Sequence, residues 1–99
     1  MPLICHITTQ KEWETAKKKG FYEAVSLVAE GFIHCSEEAQ LPDVQKRYYS
    51  GQKGLVKLVI ATEKLESRFV YEWSPSIQDT FPHIYGPVNL DAVIEVVKI

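Results

Sequence analysis

This chain of 99 residues is short of most features that announce a function. Only two cysteines are present, Cys5 and Cys35, so at most one disulfide is available, and no disulfide framework or cysteine-rich metal cage can form. No apolar run approaches the ~20 residues of a membrane span. The N-terminal MPLICHITT has no basic stretch followed by a long apolar one, so a secretion signal is not expected. Surplus positive charge is missing as well: eleven basic against thirteen acidic residues leave a net charge of −2, which argues against DNA or an anionic membrane as partner. The three lysines Lys17-Lys18-Lys19 are the one basic cluster and read as a solvated helix end. There is no glycine-rich phosphate loop, no GxSxG elbow and no Ser-His-Asp spacing.

What remains is the composition of an ordinary small domain, 45% hydrophobic and 24% charged, long enough to bury one core without metal or disulfide. Residues 2–7 read as a strand. Thr9-Gln10-Lys11-Glu12 is a capping-box pattern opening a helix that buries Trp13 and Ala16 and stops at Gly20. Residues 21–30 are ambiguous between a turn and a short strand. GFIHCS, residues 31–36, reads as a second strand, with Ser36 capping a second helix that reaches Tyr48 or Tyr49, its regular part starting near Pro42. Leu41, Val44 and Tyr48 are its expected inward residues. LVKLVIA, residues 55–61, is a central strand. Residues 68–73 alternate, residues 74–80 form a polar loop, FPHIYGPV at 81–88 is a short extended stretch fastened by Pro82, Gly86 and Pro87, and residues 93–99 make a last strand. The expected fold class is α+β: two helices on small, twisted, largely antiparallel sheets in one domain spanning residues 1–99.

Chemistry concentrates at three histidines. His6, His34 and His83 each sit at a strand or strand end, and each has a hydroxyl two residues on: Thr8, Ser36 and Tyr85. Residues two apart on a strand share a face, so each pair can present both groups to one site. The same alternation turns Cys5 away from His6 and Cys35 away from His34, which weakens both a metal site and a Cys-His nucleophile; no metal is expected. Imidazole suits acid–base work at neutral pH. Arg68 is the candidate anion ligand and Glu72 a carboxylate able to orient a histidine. His34, His83 and Glu72 are thus candidate catalytic residues, and His6, Thr8, Ser36, Arg68 and Tyr85 candidate ligand contacts. The competing expectation is a non-catalytic binding or structural module whose histidines hold turns.

LICHITTQKEW, EGFIHCSEEAQ and FPHIYGPVNLDAV together resemble the DUF952 family of small domains without assigned function, over Leu3 to about Val93. That family is similar in pattern to a minimal ADP-ribosyltransferase-like fold and to RNA 2′-phosphotransferases. The resemblance implies a cleft lined by the three histidine motifs, a nucleotide-like or phosphorylated small-molecule ligand, a possible transferase activity, and NAD as a possible cofactor. His6 would then hold the ribose, and Glu72 would stand near the anomeric carbon. The expected location is cytoplasmic.

Overall fold

The computed structural model describes residues 3–99; Pro2, expected to open the first strand, lies outside them. β1 (Leu3–Thr9) runs into α1 (Gln10–Lys19). The helix begins as its sequence dictates: the Thr9 hydroxyl accepts from the Glu12 amide at 3.0 Å. It ends at Gly20, whose φ of 96° is the left-handed conformation that glycine adopts without strain. Trp13 and Ala16 are its buried residues.

The ambiguous stretch resolves into β2 (Phe21–Tyr22) and a six-residue helix, α2 (Val25–Glu30). The described residues therefore form three α-helices where two are expected. Its apolar residues do not mark α2 as amphipathic, because Val25 and Val28 face solvent. Gly31 is not a strand residue but the left-handed end of α2. β3 is only Ile33–His34. Ser36 does not cap the next helix. Its main chain is used instead in an isolated bridge to Cys5, and Glu37 makes the capping box, exchanging hydrogen bonds with Gln40 across a turn of 3-10 helix. α3 (Leu41–Tyr48) follows with Pro42 in its first turn, as its missing N–H allows. Leu41 is buried, but Tyr48 is exposed, and Tyr49 packs in its place beside Val44.

β4 (Leu55–Ala61) pairs antiparallel with β1 on one side and with β8 (Val93–Lys98) on the other. β5 (Phe69–Ser74) and β6 (Asp79–Ile84) form a hairpin; the expected loop at 74–80 shrinks to four turn residues, with Gln78 at φ 60°. β7 (Val88–Asn89) pairs with β2. Among the described residues the strands form three small antiparallel sheets: β1-β4-β8, β2-β7 and β3-β6-β5. The main core lies on one side of β1, where Ile4, Leu58, Ile33, Ile84 and Cys35 meet Trp13 and Tyr22. A second cluster, Cys5, Ile7, Leu41, Leu55 and Val59, lies on the other side, under α3.

Pro82 sits in β6, the middle strand of its sheet, a place that proline normally avoids. The register explains the exception. Pro82 presents its carbonyl to Cys35 N at 3.0 Å, so its missing N–H points to the same neighbour. That neighbour, β3, has already ended at His34. One residue further, Ser36 leaves β6 and exchanges two hydrogen bonds with Cys5, at 2.7 and 2.8 Å. Residues 33–36 thus join the β3-β6-β5 sheet to the edge of β1.

Candidate functional site

The three histidine strands are neighbours, but their side chains divide between two faces. Cys5 and Ser36 are paired across the bridge and share a face. Alternation puts Ile7 and His34 on that face as well, and sends His6, Thr8 and Cys35 to the opposite one, toward the main core.

His6 is 6% exposed and spends both ring nitrogens inside the protein. Nδ1 lies 2.6 Å from the His34 carbonyl and Nε2 lies 2.6 Å from the Tyr22 hydroxyl. A carbonyl only accepts, so Nδ1 carries the hydrogen and Nε2 accepts from Tyr22. Burial drives the His6 pKa down to about 4 and pushes the Tyr22 phenol up. Thr8 is buried alongside and donates to the Glu12 carboxylate at 2.7 Å. His6 and Thr8 are therefore tie points between β1, α1, β2 and β3. The role that the family resemblance assigns to His6 does not fit, since a ribose hydroxyl finds no free ring nitrogen there.

His34 and His83, in contrast, are direct partners in the β3–β6 ladder, with ring centroids 5.3 Å apart. β5 supplies Glu72 to the same face. One Glu72 oxygen accepts from His83 Nδ1 at 2.7 Å and also from the Tyr85 hydroxyl. His83 and Tyr85 share a face and bond the same Glu72 oxygen. With its hydrogen on Nδ1, the neutral His83 ring carries its lone pair on Nε2, which has no hydrogen-bond partner among the described residues. Hydrogen bonds from Tyr85, and secondly from His83, hold the Glu72 carboxyl below its ordinary pKa. The bond to Glu72 raises that of Tyr85. His34 is held in the opposite sense: its Nε2 lies 3.0 Å from Glu30 on α2, leaving Nδ1 free. Arg68 lies over the Tyr85 ring, 5.6 Å from its centroid, as a cation–π contact. It reaches Glu72 only through space.

One residue escaped the sequence reading. Phe32 stacks on His83 at 4.2 Å and 20°, and its ring also meets those of His34 and Tyr85. Its position two residues before His34, on the same side of the chain, was the available signal.

His34 and His83 stand at a cavity of about 500 Å³, within the size range of small-molecule sites. Its floor is Cys5, Ile7 and Ser36. α3 contributes Val44, Tyr48 and the adjoining Tyr49, and the β5–β6 hairpin contributes Trp73, Ile77 and Phe81. The expected ligand contact Ser36 and the expected catalytic residues His34 and His83 thus line one cavity; Arg68, Glu72 and Tyr85 lie outside the lining. Burial, followed by the nearby Glu38 carboxylate, raises the Cys5 thiol to about 11, and Cys35, in the core, is raised further by burial. Both cysteines are free and, facing opposite ways, act as small apolar fillers rather than nucleophiles. Among the described residues no three His, Cys, Asp or Glu side chains converge as metal ligands, and no helix is long and apolar enough to cross a membrane.

The family model described as "Protein of unknown function (DUF952)" matches residues 7–96. Three solved structures are similar to the chain, all of protein CC0527 from Caulobacter crescentus. Its crystal structure is 32% identical with a TM-score of 0.87, covering 97% of this chain and 84% of that one. A crystallised double mutant is 31% identical with the same TM-score and coverage. The solution NMR structure is 32% identical with a TM-score of 0.84, covering 100% of this chain and 85% of that one. No curated protein matches.

Proposed function

Since the chain belongs to the DUF952 family, whose description assigns no activity, we propose from the geometry alone that the cavity beside His34 and His83 binds a small molecule and that His83 moves a proton on it. One observation carries this. Glu72 fixes His83 through Nδ1 at 2.7 Å and leaves Nε2 as the unpartnered basic nitrogen of a cavity-lining residue. A carboxylate behind an imidazole sets its tautomer, aims its lone pair and stabilises the imidazolium that forms when a proton is taken up. Tyr85 and Phe32 keep the arrangement in place, one by bonding the carboxylate and the other by stacking on the ring. His34 is the second acid–base group, with the opposite nitrogen free. His83, His34 and Glu72 keep the chemical roles expected for them, Ser36 remains a ligand contact, and Tyr85 becomes a positioning residue. A binding module without chemistry would share the cavity and differ only in leaving Nε2 idle.

Diethyl pyrocarbonate separates the two. It acylates an accessible, unprotonated imidazole nitrogen. His83 is expected to react near neutral pH, His6 not at all in the folded state, and Glu72→Gln to slow His83 several-fold. An inert His83 in the folded wild-type protein overturns the proton-transfer reading.

A further inference from the structure

We infer that this cavity selects uncharged ligands with a flat apolar body and one hydrogen-bonding group, and turns away phosphates and carboxylates. The inference rests on the cavity being the ligand site, and it reverses the charge of the ligand that the sequence motifs suggest.

The lining is the first argument. No lysine, arginine, aspartate or glutamate lines the space among the described residues. An anion entering such a space sheds water without gaining a cation.

The rim is the second. Glu72 and Glu30 lie outside the lining, and each already holds one of its histidines, Glu72 on His83 and Glu30 on His34. Lys57 is paired with Glu38 at 2.9 Å, and Arg68 lies over the Tyr85 ring. An anion in the cavity would therefore compete with Glu72 and Glu30 for the two imidazoles.

The third argument is Ser36. Only 5% of it is exposed, yet its hydroxyl has no hydrogen-bond partner among the described residues. Every fully shielded side-chain oxygen and nitrogen among the described residues has a partner, so the Ser36 oxygen opens onto the cavity that the residue lines. It is a donor and acceptor on a buried residue, open to a polar atom of a ligand. The aromatic side chains of Tyr49 and Trp73, on opposite walls, supply flat apolar surface around it.

A matched set of probes tests this: 2-naphthalenemethanol, its phosphate monoester and 2-naphthoate, titrated at pH 7.5 into the intact protein and followed by amide and indole NMR shifts. The alcohol is expected to perturb Ser36, Tyr49, Trp73 and His83, and to bind at least tenfold more tightly than either anion. Ser36→Ala is expected to weaken the alcohol several-fold and to leave plain naphthalene unchanged. Equal or tighter binding of the phosphate or carboxylate overturns the inference, as does failure of the alcohol to shift the lining residues. Its failure is separable from that of the proton-transfer reading, because acylation of His83 by diethyl pyrocarbonate is read without any of these ligands.

Discussion

His34 and His83 face each other across the β3–β6 ladder with their ring planes at 76°, each held by a carboxylate from a different element. Glu72 on β5 grips His83 through Nδ1, and Glu30 on α2 grips His34 through Nε2. The two rings therefore offer opposite nitrogens. A cross-strand pair normally has equivalent environments on its two members. Here the hairpin supports one side and a short helix the other, so the pair is chemically unsymmetrical.

The Glu72 support depends first on Tyr85, the largest cause of its lowered pKa. Because the folded-state pKa is depressed, the bonds to Glu72 favour the folded arrangement above the ordinary carboxylate value of ~4.3 and are lost as pH falls through the depressed one. Tyr85→Phe is expected to move the Glu72 pKa upward, toward that ordinary value, in a carbon-detected NMR titration of the glutamate carboxyls. It should leave the fold intact, since Tyr85 is part-exposed. An unmoved Glu72 titration would show that the phenol contributes nothing to the carboxylate.

The buried His6 makes stability depend on acid in a different window. Its folded pKa of about 4 lies below its ordinary 6.5. Between those values the unfolded chain binds a proton that the folded chain refuses, so stability rises with pH there and levels off above. On the order of 3 kcal/mol is lost between pH 7 and pH 4 through this group. Urea unfolding of the wild type across that range should show the slope, and His6→Gln should remove about one proton from it. Tyr22→Phe leaves Nε2 without its donor and should cost about 1–3 kcal/mol at pH 7. A variant as stable as wild type would mean that the hydroxyl is replaceable.

Gly86 follows Tyr85 for a steric reason. A Cβ there would come 2.5 Å from Ser67 Oγ and 3.0 Å from Ser67 Cβ, and Ser67 is tied by its hydroxyl to the Pro87 carbonyl at 2.6 Å. Gly86→Ala is expected to cost about 1–3 kcal/mol in denaturant unfolding, as overpacking does. Adding Ser67→Gly should recover most of it. No recovery in the double variant would place the strain in the backbone rather than in the contact.

The sequence disclosed most where local chemistry sets structure. The Thr9 cap, the Gly20 stop and the limits of β4 all follow from short-range rules, and the structure repeats them. It disclosed less where a distant partner decides. Ser36 has the side chain of a helix cap, but its main chain is taken by Cys5, and Glu37 caps instead. α2 escaped because Val25 and Val28 are exposed and Leu27 alone packs on the core, which leaves no helical stripe. The candidate site was half legible. Alternation correctly grouped His83 with Tyr85 and turned Cys35 away from His34. It gave no means of comparing faces between strands, so His6 and Thr8 were grouped with a cavity to which they turn their backs. Only the Cys5–Ser36 pairing fixes that relation, and it joins residues far apart in the chain.

That pairing, with Pro82 beside it, also bears on how the molecule assembles. Cys35 binds a residue near the C-terminal end of the chain and Ser36 binds one near the N-terminal end. Three distant segments must arrive before the junction closes, and neither half of the chain contains it. Such a fold pays its loop-closure entropy before the contacts that offset it. Splitting the chain at the Gly51 turn would separate β1 from β4 as well as β3 from β6, so neither piece could form the junction by itself.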